Sequence, residues 1–146
     1  MNLLMDNLSE NLKSKLDDNI YSRNSKDDVI NAIKELGVYP SKEFIQFYST
    51  YSGPFFEETL GLELMDIVED KNNIFTSTII CRDKFEFDKK YLILTEISAN
   101  EVIVLNSETD KVYRVNFEGS EEKLKNGKLQ ETWKNFSDFL KEYFDC

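Results

Sequence analysis

Hydrophobic residues recur at every fourth position in the first part of the chain, a spacing that predicts a helix with a narrow apolar stripe. This stripe consists of Leu4, Leu8, Leu12, Leu16 and Ile20. Either Asp6 or Asn7 stands where it would cap the start of that helix. Residues 22–25 interrupt the pattern. We interpret residues 1–24 as a helix and connector that belong to the same domain as residues 25–146.

Polar and turn-forming residues mark the ends of the next two predicted helices. Ser25 and Asp28 resemble a capping box before the second helix, and Gly37 follows its end, where a left-handed residue is favoured. Ser41 is the predicted N-cap of the third helix, which Gly53-Pro54 ends. The two apolar stripes are Val29, Ile30, Ile33 and Leu36, then Phe44, Ile45, Phe47, Tyr48 and Tyr51.

Beyond residue 54 the apolar spacing changes to alternation and short runs, which are typical of strands. Residues 60–68 favour one strand or two short ones. Segments 91–97, 101–105 and 111–117 predict an antiparallel meander with turns at 98–100 and 106–110, and the alternation in the third predicts a half-exposed edge strand. Residues 72–83 fit a helix capped by Asn72 or Asn73, or a strand rich in threonine and isoleucine; we favour the helix.

The last part of the chain predicts a loop and then a helix. Residues 119–127 are polar and indicate the loop. The helix carries Leu129, Trp133, Phe136, Leu140 and Tyr143 on one face. The whole pattern predicts a single α+β domain, with a mostly antiparallel central sheet, N-terminal helices and a closing C-terminal helix.

The composition supports a packed core in a protein of the cytoplasm. The chain has 146 residues, of which 40% are hydrophobic and 13% aromatic, enough for a core without disulfides or metal. Cys81 and Cys146 are far apart, so we expect free thiols, with Cys81 in the core. The first residues lack a basic leader and a long apolar run, and no run approaches the length of a membrane span.

Charge and the absence of histidine remove several classes of function. A formal charge of -10 argues against nucleic-acid binding, which requires clustered Lys and Arg. Without histidine the chain has no Ser-His-Asp or Cys-His catalytic pair and no His-ligated zinc site. The glycines form no phosphate-binding loop and the acids no calcium loop, so we expect neither cofactor nor metal. A hydrolase that uses two carboxylates stays possible on composition, although no pair among the acids is marked out; we favour a protein that is not an enzyme.

One stretch of the chain concentrates negative charge. Residues 57–70 contain six acids and neither Lys nor Arg. The stretch fits a solvated edge of the sheet, and it also fits an acidic face that attracts a basic partner. The aromatic residues nearby are either anchor residues of such a face or part of the hydrophobic core. The candidate partner-binding residues are Glu57, Glu58, Glu63, Asp66, Glu69, Asp70, Tyr51 and Phe55.

Three segments together resemble a known family. Residues 36–53 contain Pro40, a short helix with aromatic residues and Gly53. Residues 91–94 and 101–105 are two strands, followed by a third that begins Asp-Lys-Val-Tyr at 110–113, and residues 133–140 end in a Phe-x-x-Phe-Leu pattern. In this order they resemble the SUKH superfamily of Smi/Knr-like domains over residues 25–146. Pro54 departs from the second glycine that many members have there.

The resemblance implies both a fold and a function. It implies helices packed around a central sheet, in agreement with the pattern above. Small bacterial members resemble immunity proteins (antitoxins) of polymorphic toxin–antitoxin systems, which bind and neutralise a cognate toxin, often a nuclease. The partner so implied is a toxin with a basic nuclease domain, not nucleic acid or a membrane. Eukaryotic members of the family have regulatory roles. The resemblance therefore also allows a second interpretation, in which this protein is an interaction module without a toxin partner.

Overall fold

A computed structural model describes residues 8–16, 21, 23, 25–55, 57, 59–97 and 100–146. Within these residues the chain forms six helices and three strands, an α+β arrangement that confirms the predicted fold class. The helices are α1 (Glu10–Leu16), α2 (Asp27–Leu36), α3 (Lys42–Thr50), α4 (Ile74–Lys84), α5 (Ser120–Lys125) and α6 (Phe136–Tyr143). The strands are β1 (Tyr91–Ile93), β2 (Glu101–Asn106) and β3 (Val112–Asn116).

Three helix ends lie where local chemistry predicts them. The Ser41 hydroxyl accepts a hydrogen bond from the Phe44 amide at 3.2 Å and begins α3. Gly37 adopts φ 71° at the end of α2, a left-handed conformation in which glycine has no Cβ penalty. Asn73 accepts from the Thr76 amide at 2.8 Å, so residues 72–83 are helical as favoured, with Asn73 as the cap.

The starts of the first two helices differ from the prediction. Asp6 and Asn7 lie outside the described residues, and α1 begins at Glu10, where the Ser9 hydroxyl accepts from the Leu12 amide at 3.2 Å. The capping box of Ser25 and Asp28 does not begin α2, because Lys26 is the N-cap and already has helical dihedral angles, without a side-chain cap. A side chain caps a helix from extended backbone, which this turn does not provide.

The sheet is an antiparallel meander in the order β1-β2-β3, so β3 lies at an edge as predicted. In the register, Leu92 faces Leu105 and Val102 faces Val115. β1 is shorter than the predicted 91–97, because the Thr95 hydroxyl accepts from the Ile103 amide and takes the place of a ladder bond. Part of the predicted turn at 98–100 lies outside the described residues.

Residues 60–68 do not form the predicted strand. Leu64 makes only isolated bridges, to Phe55 and Thr95. The backbone groups of this segment have separate partners: the Tyr143 hydroxyl accepts from the Leu64 amide, the Leu94 carbonyl accepts from the Met65 amide, and the Asp66 side chain accepts from amides further along. Because these bonds take the place of a regular ladder of backbone hydrogen bonds, the segment does not form a strand.

The predicted loop and final helix are also corrected. Residues 120–125 form α5, which packs against β3. The final helix begins only at Phe136, because Asn135 caps it by accepting from the Asp138 amide at 2.8 Å. Trp133, predicted in the helix, instead forms an antiparallel bridge with Val112 at the outer edge of β3.

Aromatic side chains fill the core between α3 and α6. The Phe47 ring has its centroid 5.2 Å from that of Phe55 and 5.8 Å from that of Phe136. α4 covers β1, and α2 packs against both α3 and α4. Cys81 is buried on α4, and both cysteines are free thiols, as expected. No helix among the described residues has the length and apolar character to cross a membrane.

The carboxyl group of Asp110, in the turn before β3, gives a pH-dependent prediction. One carboxylate oxygen accepts from the Phe136 amide at 3.2 Å, while Oδ1 is buried without a hydrogen-bond partner in the described part of the chain. Burial raises the pKa of Asp110 above its usual value, and the nearby Ser41 side chain and the bond from the Phe136 amide offset this only in part. The pKa of Asp110 is higher in the folded chain than in the unfolded chain. The folded protein therefore loses stability as pH rises through the folded-state pKa of this carboxyl.

Replacing Asp110 by asparagine should remove this loss. Asparagine also adopts the φ of 68° found here, and its oxygen can still accept from Phe136. We expect the variant to gain stability over the wild-type protein as pH increases from about 4 to about 8. Urea unfolding of both proteins across that range measures the difference, and a difference independent of pH would contradict the argument.

Candidate partner-binding face

The acids between residues 57 and 70 do not all reach the same surface. Glu57 is ion-paired with Lys15, with 3.5 Å between the charged atoms, so its charge is partly balanced. Glu58 lies outside the described residues. Asp66 points inward and is fully buried. Glu63 is half-buried, and Glu69 and Asp70 are exposed.

Asp66 is the centre of a buried polar cluster. Its carboxylate accepts from the guanidinium of Arg23, whose side chain is only 2% exposed. The amides of Gly53, Val68 and Glu69 also donate to it, at 2.9, 3.0 and 2.8 Å. Buried charge is tolerated when it is paired and fully hydrogen-bonded, as it is here. The cluster therefore fixes the loop 66–69 against α3 and the connector before α2.

This cluster explains why residue 53 is glycine. A Cβ atom at Gly53 would lie 2.8 Å from the Phe55 ring and 3.2 Å from the Asp66 amide nitrogen. The close approach lets the Gly53 amide reach the Asp66 carboxylate. The peptide bond from Gly53 to Pro54 is cis.

Three of the candidate partner-binding residues are thus corrected to structural roles. Tyr51 is 2% exposed and Phe55 is fully buried, both within the aromatic core. Asp66 is fully buried and occupied by Arg23 and three amides. None of the three presents a side chain to a partner in this conformation. A role in binding stays a prediction for Glu57, Glu58, Glu63, Glu69 and Asp70.

An acid outside the predicted stretch joins those that remain. We call Glu63, Glu69, Asp70 and Glu96 the acidic face. The Glu96 amide donates to the Glu63 carbonyl at 3.4 Å, across the bridge between Leu64 and Thr95. Partial burial raises the pKa of Glu63, and the negative charges of Glu96 and Asp70 raise it further. The acidic face therefore concentrates like charges, and none of its members forms an ion pair with any described residue.

Exposed isoleucines lie next to the acidic face. Ile79 and Ile80 on α4 are 45% and 44% exposed, and Ile97 after β1 is 48% exposed. Ile80 and Ile97 line a groove of about 250 Å³ together with Glu96 of the acidic face. The sequence indicates that some apolar residues of α4 stay exposed, because the helix contains more of them than one buried stripe can hold.

A second groove, of about 360 Å³, lies between α2 and α4. Val68, Ala32 and Phe75 supply its apolar wall, and acids that include Glu69 stand at its rim. Glu69 therefore connects this groove to the acidic face. Apolar concavities with acidic rims suit the aliphatic stems and cationic heads of Lys and Arg side chains.

The described residues hold no group of three or more acids or cysteines placed to bind a metal ion. What the acidic face can do is attract positive charge and offer apolar contact beside it. Both are properties of a surface that binds another protein.

Comparison with protein families matches most of the chain to a described family. A family model described as SMI1 / KNR4 family (SUKH-1) matches residues 23–142, most of the chain. The match begins at Arg23, the partner of Asp66, and includes every residue of the acidic face. No curated protein matches the chain.

Proposed function

The chain belongs to the SMI1 / KNR4 family (SUKH-1), and on that basis we propose that it is an immunity protein, an antitoxin that binds and neutralises a cognate bacterial polymorphic toxin. The toxin is a nuclease, and the protein acts by occluding its active site. The protein catalyses nothing itself and works in the cytoplasm, where the nucleic acid that it protects lies.

The acidic face is the observation that supports this proposal. Nucleases hold phosphates with clustered Lys and Arg, so their substrate grooves are basic. A surface with four acids, none of them ion-paired within the described part of the chain, is complementary to such a groove. Like charges held together raise the energy of the free protein, and a basic partner relieves that repulsion.

Co-expression tests the function directly. The toxin gene is sought beside the gene of this protein, and its toxin domain is expressed in a host with and without the immunity protein. Restored growth supports the proposal. Continued growth arrest, with both proteins present in soluble form, would refute it.

Reversing charge on the acidic face should slow association with the toxin. We expect Glu63→Lys combined with Glu69→Lys to lower the association rate constant roughly tenfold at low salt, because steering by opposite charges is lost. Asp70 is left unchanged because its φ of 71° is unfavourable for lysine. Stopped-flow mixing with an inactive toxin domain measures the rate.

A matched variant controls for net charge. Glu108→Lys with Glu122→Lys reverses two exposed acids on the β2–β3 turn and on α5, outside the acidic face. This variant should associate at nearly the wild-type rate. Equal slowing by both variants would show that overall charge, rather than the acidic face, guides the encounter.

A further inference from the structure

Helix α4 carries more apolar side chains than the protein can bury. Ile74 and Cys81, with Thr78, form the buried stripe that faces the sheet. Ile79 and Ile80 lie outside this stripe and keep 45% and 44% of their surface exposed. Exposing a large aliphatic side chain to water is unfavourable, so the outer side of α4 is suited to being covered.

Of these two isoleucines, Ile80 lines the groove that also contains Ile97. Ile80 and Ile97 line the groove of about 250 Å³, whose other lining residues are Asn72, Ser77, Cys81 and Glu96. Ile79 is equally exposed but does not line this groove. The groove has the size of one aliphatic side chain with part of its backbone, and Ile80 and Ile97 are its large aliphatic lining residues.

Charge decides what kind of chain can occupy the groove. Glu96 is both a lining residue and a member of the acidic face, within electrostatic reach of Glu63. A second copy of this protein would bring its own acidic face against the first, in a chain whose charge is -10. Like charges brought together at an interface are strongly unfavourable. A basic segment carries the opposite charge and is favoured.

We propose that the groove of Ile80 and Ile97 receives a leucine-sized side chain from a basic segment of the partner protein, whose flanking Lys or Arg residues pair with Glu96, Glu63 and Asp70. The identity of that partner as a toxin rests on the proposed function. The chemistry of the occupant rests on the groove and its charges alone, so it can be tested without the toxin.

The probe is a short synthetic peptide of alternating leucine and arginine, titrated into protein labelled with ¹³C at its isoleucine methyl groups. Saturable shifts at Ile80 and Ile97, with little change at Ile79, are the expected result. Ile80→Ser combined with Ile97→Ser should weaken peptide binding about tenfold or more, whereas Ile79→Ser should leave it unchanged. Because the three side chains are exposed to a similar degree, Ile79→Ser controls for the small loss of stability that each change brings, and circular dichroism verifies that every variant keeps the fold.

Two further peptides separate the apolar contribution from the charged one. A serine–arginine peptide and a leucine–glutamate peptide should both bind at least about tenfold more weakly. Equal binding of the serine–arginine peptide would overturn the apolar site, and equal binding of the leucine–glutamate peptide would overturn the basic occupant. Dimerisation in sedimentation equilibrium that Ile80→Ser abolishes would assign the groove to a second copy and overturn the proposal.

Discussion

Replacing Asp66 by asparagine is expected to lower the free energy of unfolding by about 3–5 kcal/mol. The substitution leaves the buried guanidinium of Arg23 without its anion. It also places an amide NH₂ against N–H donors, because the two carboxylate oxygens of Asp66 together accept from Arg23 and from the amides of Gly53, Val68 and Glu69. An asparagine side chain offers only one acceptor oxygen, so at least two donors lose their partner. Equilibrium denaturation in urea measures the loss.

Arg23→Met is the matched comparison for the same cluster. It removes the cation but leaves three backbone amides that still stabilise the Asp66 carboxylate. We therefore expect a loss smaller by about 1–2 kcal/mol than that of Asp66→Asn. The opposite order, or an Asp66→Asn variant as stable as the wild-type protein, would contradict the structural role assigned to this carboxylate.

Replacing Tyr143 by phenylalanine is expected to destabilise the fold by about 2 kcal/mol. The buried hydroxyl accepts from the Leu64 amide at 2.9 Å and shares its one proton between the Leu62 carbonyl at 2.8 Å and the Phe55 carbonyl at 3.0 Å. Burial raises the pKa of Tyr143 to about 12, so the hydroxyl stays a donor at any physiological pH. Phenylalanine keeps the ring contacts but leaves these backbone groups unsatisfied.

Tyr91→Phe provides the control for loss of a buried tyrosine hydroxyl. Within the residues that the structure describes, the Tyr91 hydroxyl makes one bond, to the Leu124 carbonyl at 3.2 Å, and the expected loss is about 1 kcal/mol or less. Thermal or urea unfolding of both variants separates the two cases. Equal losses would show that the contacts of Tyr143 with the 55–64 segment contribute no more than one ordinary hydrogen bond.

The parts of the fold that the sequence predicts correctly depend on local chemistry. Ser41 and Gly37 determine helix ends through bonds or dihedral angles within a few residues, and the alternation in 111–117 predicts an edge strand. The errors arise where distant groups compete for the backbone. Residues 60–68 have the apolar pattern of a strand, yet their amides bond to side chains such as Tyr143, 79 positions from Leu64.

The candidate site shows the same division between local and distant information. The sequence identifies a stretch of acids, because charge can be counted along the chain. It does not identify which acids are buried, since Asp66 depends on Arg23, 43 positions earlier. Glu96 escapes a search confined to consecutive residues, because a bridge between Leu64 and Thr95 brings it beside Glu63. The apolar excess of α4 can be counted in the sequence, but which of its isoleucines stay exposed becomes evident only when the sheet shows which side of α4 it covers.

The position of Tyr143 along the chain also determines when the acidic face can form during synthesis. The segment that carries Glu63 is held by a hydroxyl 88 positions beyond Phe55. At about 5–20 residues per second, a ribosome that has made Phe55 needs several more seconds to reach α6. Until then the segment lacks its three bonds to the Tyr143 hydroxyl, and, among the described residues, the backbone bonds from Glu96 and Met65 are left to hold Glu63 beside Glu96. Nascent chains that lack α6 are therefore expected to be poor binders, so protection against a toxin would lag behind translation of this protein rather than begin with it.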